Sequence, residues 1–466
     1  MEEPGGRGAS PSPGLFAIAW PIFVEQGLRF LIMTVDTFMV SHVSDGAVAA
    51  LGVAGQVLFL CIVVFNFIAI GSSVVITHHL GAGDPEGARR IASAAIGVNT
   101  WVGLAVSAAL ALFARPLLGL LRLPAELLPY ARPFLVILGG TLFLDAQSVA
   151  MAAVLRAHRH TRDAMVVTGA QNVLNAAGNC LLLFGLLGFP RLGVTGVALS
   201  GVFARVTGFV ALRILVARRT GIWLGWRDYL SFPLGPVRRI LRIGLPAAGE
   251  NLSYWVGLVV VTSFASRLGP VPLATLVYTR NLNTWVILSA ISIGLGTEIL
   301  VGHLVGAGRT EEAYRSLMRS LRTGLLLAIL GAGTVALLGP HLFRIFTDDP
   351  TVISAGALLL WIGLVHEPGR VFNIVVINSL RATGDAVFPV IMGASSMWLL
   401  WVPLAYALSQ HTGLGVTGIW IAMACDEWVR GTMMVLRWRS RRWEAHARDS
   451  RRSLAEAEPA AVVGEL

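Results

Sequence analysis

The stretch "WPIFVEQGLRFLIMTVDTFMV", residues 20–40, sets Glu25, Arg29 and Asp36 into an otherwise apolar run. On a helix at 100° per residue, Arg29 lies about 40° and Asp36 about 20° from Glu25, so one face carries all three. Ionisable groups in an apolar run are costly to bury and mark a functional site by default. Glu25 and Arg29 stand four apart in the favourable order for an ion pair, which gives them a structural reading beside a cavity reading. Asp36, about 31 Å along the helix from residue 15, has no local cation. A carboxylate in such surroundings can exchange a proton or hold a small cation, and Asp36 is the expected ion-coupling residue.

A second polar pattern lies in "TGAQNVLNAAGNCLLLFG", where Asn172, Asn175 and Asn179 recur at spacings of three and four. They form one stripe on a helix. It reads either as hydrogen-bonding glue between helices or as an uncharged lining beside Asp36. In the second half of the chain, Glu250 has no basic partner nearby, and Glu298 reads as a side chain reaching the membrane interface. In "HEPGRVFNIVVINSL", Glu367 and Arg370 stand three apart, Pro368 suggests a kink, and the pair reads as a local ion pair or as a gate or ion site. Asp426, Glu427 and Arg430 read as a brace for the end of the last span. His78 and His303 read as packing or capping groups, with proton sensing as the competing role. Cys61, Cys180 and Cys425 fall singly in apolar runs, with neither metal-ligand nor disulfide spacing. No metal cluster or nucleophilic triad stands out, so neither a resident cofactor nor an enzyme is expected.

These residues need a scaffold in lipid. The chain is 55% hydrophobic and 13% charged over 466 residues, with a mean hydropathy of +0.72. Twelve apolar runs are long enough to cross a hydrocarbon core of about 30 Å as helices. Their approximate cores are 15–40, 47–79, 90–114, 129–155, 163–187, 193–218, 239–267, 273–306, 315–345, 352–381, 386–410 and 414–438. They are continuously apolar, unlike the alternating strands of a barrel. All 36 basic residues are arginine. With both termini on the cytoplasmic side, the outer loops carry only Arg115, Arg122, Arg132, Arg191, Arg267 and Arg344, and the inner loops carry most of the rest. That asymmetry accounts for the basic pI through membrane orientation, without a nucleic-acid partner. The acidic, Gly/Pro-rich "MEEPGGRGASPSPG" does not read as a cleaved signal peptide.

The chain also repeats itself. "GSSVVITHHLGAGDPEGARR" from Gly71 returns as "GTEILVGHLVGAGRTEEAYR" from Gly296. At the same offset of 225, Pro21 falls on Pro246, Glu25 on Glu250, His78 on His303, and "LRA" at Leu155 on "LRA" at Leu380. "LGVTG" at Leu192 matches "LGVTG" at Leu414 with the offset slipping to 222. Six spans per copy give both copies the same orientation, a parallel duplication about an axis along the membrane normal. The expected layout is a cytoplasmic tail (1–14), an N-lobe (15–218), a linker (219–238), a C-lobe (239–438) and a polar, dispensable cytoplasmic tail (439–466). The twice-written Gly-Ala-Gly lacks the Gly-Lys-Ser/Thr ending of a phosphate loop and reads as a tight helix exit.

"VDTFMVSHVSDGAVAALG", "HLGAGDPEGARR", "LRA", "NVLNAAGNCLLLFGLLGFPRLGVTGVAL" and "LRATGDAVFP", in that order, resemble the multidrug and toxic compound extrusion (MATE) transporters over about residues 15–440. The resemblance implies an all-α integral membrane protein of twelve transmembrane helices in two six-helix bundles around a V-shaped cleft. It also implies a multi-pass protein of the cell (inner) membrane that expels organic, mainly cationic or amphipathic, drug-like compounds in exchange for H+ or Na+; membrane lipids are the other expected partners, and a monomer is the expected unit. The family's first-span acid matches Asp36 and its fifth-span asparagine matches Asn175. Where DinF-type members place Asp four residues later, this chain has Asn179, as in the NorM-type branch. A sodium ion, if it is the coupling ion, would sit at Asp36, Asn175 and Asn179. The alternative is a lipid-linked precursor flippase of the related superfamily, which would favour a cationic cavity for pyrophosphate.

Overall fold

A computed structural model describes residues 14–230 and 232–455. The N-terminal half is α1 (Leu15–Ser41), α2 (Asp45–Gly81), α3 (Pro85–Leu120), α4 (Leu128–Gly140), α5 (Leu142–Ala157), α6 (Thr161–Phe184) and α7 (Val194–Thr220). A short α8 (Trp226–Leu230) lies in the linker. The second half is α9 (Leu234–Arg267), α10 (Pro270–Gly306), α11 (Thr310–Phe343), α12 (Pro350–Ala382), α13 (Val387–Ser396), α14 (Val402–Gln410) and α15 (Gly415–Arg439), followed by α16 (Trp443–Ala455). The described residues hold no strand.

Among the described residues eight helical segments are long and apolar enough to cross a membrane, α1, α2, α3, α7, α10, α11, α12 and the α13–α14 segment, and nine when α4 and α5 count as one span bent by 46°. The bend falls at Gly139, Gly140 and Thr141, where two glycines precede a non-helical backbone. Three more expected spans, α6, α9 and α15, are long helices whose polar side chains lower their hydropathy. Those side chains include Asn172, Asn175 and Asn179 in α6, Glu250 in α9, and Asp426, Glu427 and Arg430 in α15. Span eleven is α13 and α14 joined by a π-helical turn at Met397–Trp401. The helix runs unbroken through Pro368, with no break in α12 where the sequence suggests a kink.

Local chemistry fixes the ends. The Ser44 hydroxyl accepts the Ala47 amide, the Asp84 carboxylate accepts the Gly87 amide and Asp349 accepts the Thr351 amide, each supplying a partner to an otherwise orphaned donor. Gly185 and Gly221 close α6 and α7 in the left-handed conformation. The turns at 82–84, 158–160, 307–309 and 383–386 fall with the arginine-rich C-terminal end of α15 at one end of the bundle, as the alternation of helix direction requires.

Within the N-terminal lobe α1 packs on α6, α6 on α7, and α2 on α3 and α5. In the C-terminal lobe α12 packs on α10, α11 and α15. The lobes meet through α1 on α10, α2 on α9 and α2 on α10. In lipid, such contacts depend on close backbone approach, which small residues permit. The repeated glycines serve this purpose. A Cβ at Gly81 would strike the His303 carbonyl of α10, and a Cβ at its repeat mate Gly306 would strike the His78 carbonyl of α2. The last glycine of each Gly-Ala-Gly, Gly83 and Gly308, turns the chain with φ of 79° and 74°.

Residues 443–455 form a docked helix where the sequence suggests a polar tail, while residues 1–13 and 456–466 lie outside the described part. Trp443 is fully buried and stacks on Trp438 at 4.2 Å. Farther along α16, Arg239 of α9 donates to the Ser453 carbonyl and Ser450 to the Thr383 carbonyl. Truncation after Glu444 removes these contacts together with His446 beside Asp385 and the small buried Ala447, each worth about 1 kcal/mol, and should leave export near wild type. Truncation after Arg442 also removes the buried Trp443 ring and should cost roughly 3–5 kcal/mol of stability. Equal melting temperatures for the two truncated proteins would contradict this boundary.

Candidate functional site

The acidic face of α1 points into the N-terminal lobe, and its two carboxylates meet different partners. Asp36 Oδ1 accepts from Asn175 Nδ2 at 2.8 Å and from Asn179 Nδ2 at 2.7 Å. Asn175 and Asn179 are 6% and 0% exposed, and the Asn179 amide oxygen has no hydrogen-bond partner. Asn172, one turn earlier on α6, donates instead to the Leu28 carbonyl at 2.6 Å. The stripe therefore divides between the two roles open to it: Asn172 ties α6 to α1, whereas Asn175 and Asn179 present amides to Asp36.

Glu25 is 2% exposed and is held by Arg29 at 3.0 Å and by Arg156 of α5 at 3.1 Å. The expected Glu25–Arg29 pair is thus half of a triad, and Arg156 is not the free loop arginine its position in sequence suggests. The Arg29 side chain is 46% exposed. Arg29→Ala should cost no more than about 1 kcal/mol, because Glu25 keeps the less exposed Arg156. A large fall in the melting temperature of the purified variant would show that Arg29 is the principal partner.

The C-terminal lobe repeats this pairing. Glu250 Oε2 accepts from Arg381 at 2.6 Å, and Glu250 and Arg381 are 131 residues apart, the same separation as Glu25 and Arg156. The repeat extends across the lobes. His78 Nε2 donates to the Ala382 carbonyl at 2.6 Å, and His303 Nε2 donates to the Ala157 carbonyl at 2.9 Å. Each histidine of one lobe therefore closes on the residue after the paired arginine of the other. The packing reading of His78 and His303 fits these bonds. Glu298 does not reach the interface, as its position in sequence suggests: it is 2% exposed at the crossing of α2 and α10.

Glu367 and Arg370 do pair, at 2.9 Å, but inside a larger buried network. Arg370 also reaches His366 at 3.1 Å and Glu427 at 3.6 Å, and Arg430 reaches Asp426 at 2.7 Å and Glu427 at 3.2 Å. Asn373 donates to Glu427 at 2.7 Å, and Ser396 to Asp426. Asp426, Glu427 and Arg430 are more than a terminal brace: they join α15 to α12 and α13. Three carboxyl groups, two guanidiniums and the His366 ring thus share one buried cluster.

Arg205 of α7 pairs with Asp145 at the bend between α4 and α5, at 2.9 Å. Sequence reasoning missed Asp145, Arg156 and Arg381. The last two carried a signal, since "LRA" recurs at the offset that relates Glu25 to Glu250.

Two aromatic pairs cross between the lobes. Phe30 of α1 meets Trp285 of α10 at 6.0 Å, and Phe59 of α2 meets Trp255 of α9 at 5.3 Å, both edge-on. From there to the arginine-rich end the lobes are joined, by Ile18 and Ile22 against Ile299, by the histidine bonds and by the glycine crossings. Toward the other end α1 exposes Leu31, Met33 and Phe38. Among the described residues no group of three or more His, Cys, Asp or Glu is placed to hold a metal ion.

Two helical bundles closed at one end around buried acids define a membrane transporter. The MatE family model matches residues 21–181 and again 246–407, one match in each lobe and 225 residues apart. The chain belongs to the MatE family. It is 42% identical over 429 residues to the uncharacterized transporter YisQ of Bacillus subtilis, covering 92% of this chain and 94% of that protein. It is 29% identical over 440 residues to the probable multidrug resistance protein NorM of Thermotoga maritima, covering 93% of each. It is also similar to a solved structure described as the outward-facing conformation of a multidrug resistance MATE family transporter of the MOP superfamily. That match has a TM-score of 0.85 and 18% identity, over 93% of this chain and 96% of the other. A second, MATE in the bent conformation, matches with a TM-score of 0.84 and 20% identity, over 94% and 96%.

Proposed function

We propose that the chain is a secondary active antiporter of the cell membrane that exports organic, mainly cationic or amphipathic, compounds in exchange for H+ or Na+. The observation that carries this reading is Asp36, an embedded carboxylate with no arginine on it among the described residues, held by two amides inside a lobe whose other acids are mostly engaged by arginines. Both amides donate to Oδ1. Oδ2 is left to take a proton, or with the Asn179 oxygen to take a sodium ion.

In the proposed cycle the arginine-rich end is cytoplasmic, as the arginine distribution favours. The structure's closure at that end corresponds to the outward-open state. Ion binding neutralises Asp36, favours drug release outward and returns the cleft inward, where a drug cation favours the ion-free protein. Each ligand drives the exchange only by its different affinity for the two states. The multidrug resistance names of relatives support the substrate class. The pairing of Arg29, Arg156, Arg205, Arg370, Arg381 and Arg430 with carboxylates argues against a cationic flippase cavity. Both lobes lie in one chain, and we take it as the working unit.

Proteoliposomes containing the purified chain and a pH- or Na+-sensitive dye test the reading. A gradient of an organic cation such as ethidium should drive counterflow of one of the two ions. Absence of any drug-driven ion movement, with the protein intact, would sink it.

A further inference from the structure

At the crossing of α2 and α10, Glu298 stands apart from every repeated contact. Its repeat mate, 225 residues earlier, is Ser73, which lies across the lobe boundary on α2 and faces Glu298. Oε2 of Glu298 is buried without a hydrogen-bond partner. The charges that face Glu298 are Arg156 from α5 and Arg381 from α12. Each is already engaged by another acid, Arg156 by Glu25 of α1 and Arg381 by Glu250 of α9. His78 on α2 and His303 on α10 direct Nε2 to carbonyls rather than to Glu298.

We propose that Glu298 is a gate residue of the transport reaction, neutral while the lobes are closed at the arginine-rich end and ionised once they part there. The proposal rests on the antiport reading with the proton as an exchanged ion. An ionised carboxylate with a buried, unmatched oxygen is strongly disfavoured, and the neutral acid less so. When α2 and α10 separate, water reaches Oε2, the O–H bond ionises and the proton passes to water at that end. The carboxylate left behind opposes reclosure until a proton returns. Glu298 therefore ties opening of one end to loss of a proton, and Asp36 in the other half of the bundle remains free to answer to the cleft.

The test uses the full chain in proteoliposomes, with Cys61, Cys180 and Cys425 replaced by serine. Spin labels go at Glu86 and Glu312, exposed positions at the arginine-rich end of the two lobes. In the otherwise wild-type protein the short, closed distance should give way to a longer one as pH rises. Glu298→Gln should stay closed at every pH and slow drug-driven exchange roughly tenfold or more, whereas Glu298→Asp should restore the pH dependence. A Gln variant with the unaltered distance profile and exchange rate would overturn the proposal.

If the Gln variant does not assemble, Ser73→Ala provides the second reading. Loss of the hydroxyl should favour the neutral acid and move the distance transition to higher pH, and an unmoved transition would also overturn the proposal. The distance profile is independent of transport. If the wild type exchanges drug for Na+ alone and its gate is insensitive to pH, only the proposal for Glu298 fails. If drug drives no ion at all, the antiport reading itself fails.

Discussion

Asp36→Asn should abolish ion-coupled efflux while leaving the fold intact. The substitution keeps the size of the side chain and an oxygen that can accept from Asn175 and Asn179, which now donate to Asp36 Oδ1 at 2.8 Å and 2.7 Å. It removes the one property the exchange needs, a charge that a proton or cation can neutralise. With Asn at this position the inward and outward states no longer differ in ion affinity there, and a gradient has nothing to act on. Drug-driven ion movement should fall at least about tenfold, with the melting temperature of the purified protein close to wild type. Binding of the drug itself should survive. If the variant still exchanges drug for ion at the wild-type rate, the coupling site lies elsewhere, and the network of Glu367, Arg370 and Glu427 becomes the leading candidate.

The spans were legible because they are long, largely apolar runs, whereas the polar α16 was not, and the parallel repeat was legible because most of its landmarks keep one offset. The pairing Glu25–Arg29 was visible since i and i+4 share a helix face. What the periodicity could not show is which arginine does the burying. Arg156 lies 131 residues from Glu25 and sits at the end of a span, where an arginine is ordinarily an anchor in the headgroup region. The larger C-lobe network was hidden for the same reason: Asn373 and Glu427 are 54 residues apart, and only the packing of α12 on α15 brings them within 2.7 Å. Glu298 was misplaced because a carboxylate near the end of an apolar run normally reaches water. Here a second lobe covers the run's end, through glycines whose meaning is apparent only when two helices cross. The fold follows from one-dimensional pattern. The site depends on contacts between elements, and a duplicated motif was the one long-range clue the chain offered.

That duplication makes the last prediction asymmetric. Glu25 and Glu250 occupy equivalent places, yet Glu25 has two arginines, at 3.0 Å and 3.1 Å, whereas Arg381 at 2.6 Å is the ion-pair partner of Glu250 within the described residues. Removing one partner of a buried pair leaves an uncompensated charge and costs about 3–5 kcal/mol. Arg381→Leu should therefore lower the melting temperature of the purified protein strongly, the more so because Arg381 also faces Glu298. Arg156→Leu, which leaves Arg29 on Glu25, should be the milder of the two. Adding Glu250→Gln to Arg381→Leu removes the stranded charge and should recover much of the loss, since coupled neighbours are not additive. The single and double variants form a cycle that isolates the pair from Glu298. If Arg156→Leu and Arg381→Leu destabilise equally, Arg29 gives Glu25 no support. If the double variant is no more stable than Arg381→Leu, the loss arises from packing around the arginine stem and not from the charge on Glu250.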